Sequence, residues 1–182
     1  MKTPLKEHQQ LTLRPSALPD TATWLLIGAL GAGMRAFADM LLDAGESVVG
    51  TDKELMPDGS GNENYPEREK FKIFSPDCVD QILATSPQRV VYSTAIAESS
   101  PLLQQLRLLK LNPMSLPQAL SHFLQSQNQV CIAGTHGKTT TSGMTWSILQ
   151  QGGFNPSAYV GGVMKNQIRS GVYGTGRMAV LE

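Results

Sequence analysis

The chain has 182 residues, 41% of them hydrophobic and 16% charged, which excludes a disordered chain and leaves room for one domain with a good core, or one domain plus part of another. Lys+Arg and Asp+Glu are 15 each, so the formal net charge is zero. No overall field draws this protein to nucleic acid or to an anionic membrane, and any anion it binds must be held by local geometry.

The first ten residues are polar and lack the apolar segment of a secretory signal. Residues 1–20, with Pro15 and Pro19, read as a loose lead-in. Trp24-Leu25-Leu26-Ile27 is a short apolar run closed by Gly28, the pattern of a buried strand. After Gly31-Ala32-Gly33, the residues Met34, Phe37, Ala38, Leu41 and Leu42 recur at spacings of three and four, which predicts a helix with one apolar face. Gly45 is placed to end it. Ser47 to Asp52 reads as the next strand, completing a βαβ unit. Residues 53–70 are polar and carry Pro57, Gly59, Gly61 and Pro66, so a surface loop is expected.

Phe71-Lys72-Ile73-Phe74 predicts a short strand and Pro76–Ala84 a helix. Arg89–Ser93 is a strand, Leu102–Lys110 a Leu-rich helix, and Pro117–Leu124 another. The polar run 125–129 marks a boundary between domains. Val130-Cys131-Ile132-Ala133 predicts a buried strand, with Cys131 a buried small hydrophobe. A helix is expected from Lys138 to Gln151, then Gly161-Gly162, then a strand-like run from Met178 to Glu182. Alternating strands and helices imply parallel sheets with ligands at the C-terminal strand ends. Neither Cys78 nor Cys131 has metal-site or redox spacing, which suits a reducing compartment. No run approaches the roughly 20 apolar residues of a membrane span. A soluble, cytoplasmic protein is expected.

The strongest chemical signal is Ala133-Gly134-Thr135-His136-Gly137-Lys138-Thr139-Thr140-Thr141, led by a strand and followed by a helix. Glycines let backbone N–H groups approach phosphate oxygens, and a helix N-terminus adds partial positive charge. Lys138 would reach the β/γ-phosphates, and the Thr139 hydroxyl would ligate Mg²⁺. The alternative is a glycine-rich turn before a capped helix. The common phosphate loop has Gly where Ile132 stands, so this is a shorter type. A second glycine loop, Gly28-Ala29-Leu30-Gly31-Ala32-Gly33-Met34, joins a strand to a helix, and Asp52 closes the following strand. That arrangement suits a pyrophosphate, with Asp52 near a ribose or base, but a tight turn without a ligand has the same pattern.

The shorter phosphate loop resembles that of the Mur ligases, the amide-forming enzymes of peptidoglycan assembly. Three other segments agree in order and spacing: Gly28 to Met34, Ser93-Thr94-Ala95-Ile96 with Pro101, and Gly161-Gly162. The resemblance spans about residues 22–182. It implies an α/β chain with a Rossmann-like parallel-sheet domain over 21–125, followed by the beginning of a P-loop α/β central domain over 126–182. The N-terminal domain of the family holds the UDP part of its substrate.

The site residues follow from the same likeness. Gly28, Gly31, Ala32, Gly33, Asp52, Ser93 and Thr94 become candidates for substrate binding. Gly134, Thr135, His136, Gly137, Lys138, Thr139 and Thr140 become the ATP loop, with Lys138 catalytic. Thr139 and Glu182 become Mg²⁺ ligands, since the family strand after the paired glycines ends in an acid. Within the family the likeness is to the branch that joins L-alanine to UDP-N-acetylmuramate through an acyl phosphate.

Other readings stay open. Ser93 and Thr94 suit turn and capping chemistry as well as a nucleotide. Leu-Glu at a chain end also matches a common cloning junction. The family has Gly where Leu30 stands, which puts a side chain where backbone should approach phosphate. Arg35 could pair with that phosphate or be a solvated helix residue. The family continues well past residue 182, so these residues alone are expected to be inactive, with sheet edges and an apolar face uncovered. Rival readings are a non-catalytic UDP-sugar-binding homologue, the sister ligase that adds a peptide to the same UDP-sugar, and a small kinase.

Overall fold

The computed structural model describes residues 22–55, 71–161 and 169–182. The lead-in 1–20, most of the loop 53–70 and Gly162 lie outside the described residues. The first sheet contains β1 (Thr23–Ile27), β2 (Ser47–Thr51), β3 (Lys72–Phe74), β4 (Arg89–Tyr92) and β5 (Met114–Ser115). All pairings are parallel and the order is β3-β2-β1-β4-β5. β1 sits in the middle with helices on both sides, which is why its Trp-Leu-Leu-Ile run is buried on both faces. The order reverses between β1 and β4. That is the point at which a doubly wound sheet opens a crevice beyond its strand ends.

α1 (Ala32–Asp43) buries Met34, Phe37, Ala38, Met40 and Leu41. Gly45 ends it at φ +83°, with its own N–H donating to Leu42 and that of Glu46 to Leu41. Only a residue at ease in the left-handed region closes a helix this way. Trp24, Phe37 and Phe123 pack edge-to-face with centroids 5.7–6.0 Å apart. Each such pair contributes about 0.5–1.5 kcal/mol beyond its buried area. α2 (Val79–Ala84), α3 (Pro101–Leu108) and α4 (Leu116–Phe123) complete this part. α2 starts three residues later than expected, because Pro76 and Asp77 form the turn that leads in.

The second sheet contains β6 (Asn128–Cys131), β7 (Ser157–Tyr159), β8 (Gly171–Val172) and β9 (Met178–Leu181), in the order β6-β9-β7-β8. β6, β9 and β7 are parallel, but β8 runs antiparallel to β7. α5 (Lys138–Gln151) covers one face through Trp146, against Ala158, Val160 and Val180.

Two expectations fail here. β6 begins and ends two residues earlier than Val130–Ala133, and it is exposed rather than buried. Cys131 is exposed too. The reason is position: β6 is the edge strand, and among the described residues nothing covers its outer side. Met144 and Ile148, one turn apart on α5, are likewise exposed. Gln127, in the polar run, is buried, with its amide donating to the carbonyls of Gly174 and Gly176 at 2.9 and 2.8 Å.

The two sheets share a core. Ala179 belongs to the cluster built on α1, and Tyr159, Tyr173 and Leu181 pack against it. β8 lies against α1 so closely that a Cβ on Gly171 would run into the backbone of Ala36. Arg169 donates to Asp43 at 2.7 Å and lies 3.7 Å from Asp39, both on α1. The Tyr173 N–H also donates to Asp43, at 3.3 Å. Asp43→Ala removes both bonds and is expected to cost about 1–2 kcal/mol, lowering the thermal midpoint by roughly 3–6 °C. An unchanged midpoint by calorimetry would show that these bonds hold nothing.

Candidate functional site

The loops after β1 and β4 meet at the reversal of strand order. Gly28 takes φ +84°, and a Cβ there would lie 3.0 Å from the Cβ of Ser93. Its N–H and that of Ala29 donate to the Thr51 carbonyl at 2.8 and 3.1 Å. Leu30 is buried, 7% exposed, so its side chain turns into the protein rather than onto the open face of the loop. Its N–H donates to Asp52 Oδ2 at 3.0 Å, and the Glu54 N–H donates to Oδ1 at 3.2 Å. Asp52, also buried, therefore fixes the shape of the glycine loop from within.

Gly31 caps α1 without a side chain, and Gly31 and Ala32 are exposed. The first N–H groups of a helix have no acceptor inside it, so this end presents donors to solvent. Arg35 lies on the same helix, half-buried. Ser93 Oγ accepts the Ala95 N–H at 3.3 Å, closing a local turn, and Thr94 is exposed.

The second cluster follows from the parallel run of β6, β9 and β7, which puts the loops after all three on one edge. Residues 132–137 link β6 to α5. Gly137, at φ +75°, caps the helix with no side-chain bond, a geometry that strains any other residue. Thr141 Oγ1 donates to the Gly137 carbonyl at 2.9 Å. Gly134, Thr135, His136, Thr139 and Thr140 are exposed, and Lys138 is half-buried at the first position of α5. Thr139 Oγ1 donates to Glu182 Oε1 at 2.8 Å, and the Gly161 N–H donates to Oε2 at 3.0 Å. Thr139 and Glu182, paired from sequence as metal ligands, are thus in contact. Among the described residues no group of three or more His, Cys, Asp or Glu side chains gathers as a metal site.

Tyr159 stands between the clusters and was not singled out from sequence. Its carbonyl accepts the Glu182 N–H at 3.0 Å. Its hydroxyl lies 2.5 Å from where a Cβ on Gly33 would be. A lone Tyr in a three-residue strand carries no sequence signal. Its role comes from a contact across the two sheets. Burial, then the charge of Glu182, raises its hydroxyl above the ordinary 10.0.

Tyr173 is raised in the same sense by burial and then by Glu46. A raised phenol holds its proton more tightly in the folded chain than in the unfolded one. Its contribution to stability is intact below pH 10 and is lost as pH climbs past it. The thermal midpoint is expected to fall as pH rises above about 10, less steeply in Tyr173→Phe. Equal slopes would contradict this.

The chain is 35% identical over 158 residues to the UDP-N-acetylmuramate–L-alanine ligase of Synechococcus sp. strain CC9902, covering 86% of this chain and 34% of that protein. The chain is a relative of the Mur ligases. It spans about a third of the length of the curated relatives it matches. No family model matches the chain. The solved UDP-N-acetylmuramate:L-alanyl-γ-D-glutamyl-meso-diaminopimelate ligase of Neisseria meningitides superposes with a TM-score of 0.74 at 25% identity, covering 89% of this chain and 52% of that one. The UDP-N-acetylmuramate–alanine ligase of Thermotoga maritima shares the fold, with a TM-score of 0.71 at 22% identity, over 87% of this chain and 36% of that one. These neighbours agree with the α/β class and the parallel first sheet. Among the described residues no helix is long and apolar enough to cross a membrane.

Proposed function

We propose that this Mur-ligase relative carries the UDP-sugar subsite and part of the ATP subsite of an enzyme that joins L-alanine to UDP-N-acetylmuramate. The observation that supports this most is the meeting of Thr139 and Glu182, 2.8 Å apart, at the uncapped start of α5. The backbone of Gly134 to Thr140 would wrap the ATP phosphates, and Lys138 would pair with the β/γ end.

A hydroxyl and a carboxylate are hard oxygen donors. Mg²⁺ is commonly held by one or two such groups together with substrate phosphates, so the residues present fit this metal. When bound, the magnesium nucleotide supplies a phosphoryl group that activates a carboxylate as an acyl phosphate. This chain contributes orientation and charge: Lys138 offsets the charge of the moving group, and the loop amides fix its direction. No side-chain nucleophile is required. On the first sheet, the open turn at Gly31, Ala32 and Gly33 would hold the pyrophosphate. Ser93 and Thr94 lie within the crevice for the uridine nucleotide, and Asp52 keeps the loop in shape.

Glu182→Gln tests the metal assignment. The amide oxygen can still accept the Gly161 N–H, and the amide NH2 can donate to the Thr139 hydroxyl, so the fold should persist. Mg-ATP binding is expected to weaken about tenfold, with metal-free ATP unaffected. Equal Mg-ATP affinity by calorimetry would remove Glu182 from the metal site.

A second reading takes a peptide as the amine substrate. It is favoured by the likeness to the Neisseria ligase, whose name specifies the tripeptide L-alanyl-γ-D-glutamyl-meso-diaminopimelate. Both readings share the two subsites described above.

A further inference from the structure

We propose that Tyr159 is a positioning residue whose hydroxyl donates to the pyrophosphate of the nucleotide-sugar, reaching from the second sheet to the first turn of α1. This rests on the reading of that turn as the pyrophosphate subsite. Strand alternation sends Ala158 and Tyr159 to opposite faces of β7. Ala158 packs with Trp146 under α5, so Tyr159 faces α1. Its hydroxyl then stands 2.5 Å from the Cβ position of Gly33, and its ring carbon Cζ 3.8 Å from it. Cα–Cβ bonds of a helix tilt toward its N-terminus. A hydroxyl at that spot therefore lies on the side of Gly33 from which an anion approaches the free N–H groups of the turn.

The other end of Tyr159 is fixed. Its carbonyl accepts the Glu182 N–H at 3.0 Å, and Gly161, two residues on, holds the Glu182 carboxylate. One residue thus spans the UDP-sugar subsite and the strand end that carries Glu182. A phosphate held by the hydroxyl would be set at a fixed distance from the Thr139–Glu182 pair. Gly33 is required on this account because the tyrosine occupies the space of its side chain. Phosphate contact alone does not explain that glycine.

Calorimetric titration of the full chain and of Tyr159→Phe with UDP-N-acetylmuramate, uridine and Mg-ATP tests this. The expected result is binding of the UDP-sugar by the unchanged chain and about tenfold or more weaker binding by Tyr159→Phe. Mg-ATP affinity and the thermal midpoint should stay unchanged, and uridine should not distinguish the two proteins. Equal affinity of both proteins for the UDP-sugar would overturn the role of Tyr159 and leave the subsite standing. A parallel loss of Mg-ATP affinity or of thermal stability would overturn it as well, since a merely structural contact would behave that way. No UDP-sugar binding by the unchanged, folded chain would remove the subsite and the proposal together.

Discussion

Lys138→Met weakens binding of Mg-ATP by about 10- to 100-fold, or roughly 1.5–3 kcal/mol, which is what one hydrogen bond to a charged group contributes. Lys138 opens α5 directly after the left-handed Gly137. From that position a long cationic side chain would reach past the helix start toward the far phosphates. No carboxylate among the described residues forms an ion pair with it. Methionine keeps most of the stem and removes the charge, so the fold should be unaffected. AMP, which lacks the β- and γ-phosphates, should bind both proteins alike. Calorimetry with ATP and AMP checks this. Equal loss for both nucleotides would mean the loop itself had changed shape.

Gly171→Ala is expected to be strongly destabilising. The added Cβ would meet the carbonyl carbon of Ala36 at 2.6 Å and its Cα at 3.0 Å. Backbone inside a packed helix cannot give way as a flexible side chain can. The methyl must push β8 off α1, disturbing the contacts of Arg169 and Tyr173 with Asp43. Overpacking of this kind costs about 3 kcal/mol, or roughly 6–12 °C in the thermal midpoint for a chain of this size. Gly143→Ala is the control. Gly143 lies within α5, and a Cβ there meets nothing within 4 Å. It should stabilise the chain by up to about 1 kcal/mol. If both changes had the same sign, the close approach of β8 to α1 would be wrong.

Much of the fold could be read from sequence because its signals are local. The run Trp24 to Ile27, the helical spacing from Met34 to Leu42 and the stop at Gly45 each need only neighbouring residues, and each stands where expected. The glycine-rich turn into α5 was legible for the same reason, because the strand, the glycines and the helix start lie within one short segment. The pairing of Thr139 with Glu182 came from the family resemblance, and the structure brings the two into contact.

What stayed hidden depends on distant partners. β5, β7 and β8 have two or three residues each, too few for a period of two to declare itself. The burial of Cys131 was misjudged because an apolar tetrapeptide reads the same at a sheet centre and at an edge. Leu30 looked like an obstruction, yet its side chain is buried in the core and its N–H is held by the Asp52 carboxylate. Arg169 and Tyr159 reach from the second sheet to α1, Gln127 ties the start of β6 to the turn before β9, and nothing in their immediate sequence says so.

The central claim is that the open turn of α1 and the crevice beside Ser93 bind a UDP-sugar. Titration of the purified, folded chain with UDP-N-acetylmuramate tests it most directly. The account predicts saturable binding of one ligand per chain, displaced by UDP and not by AMP. Absence of binding, with the folded state confirmed by circular dichroism, would contradict it.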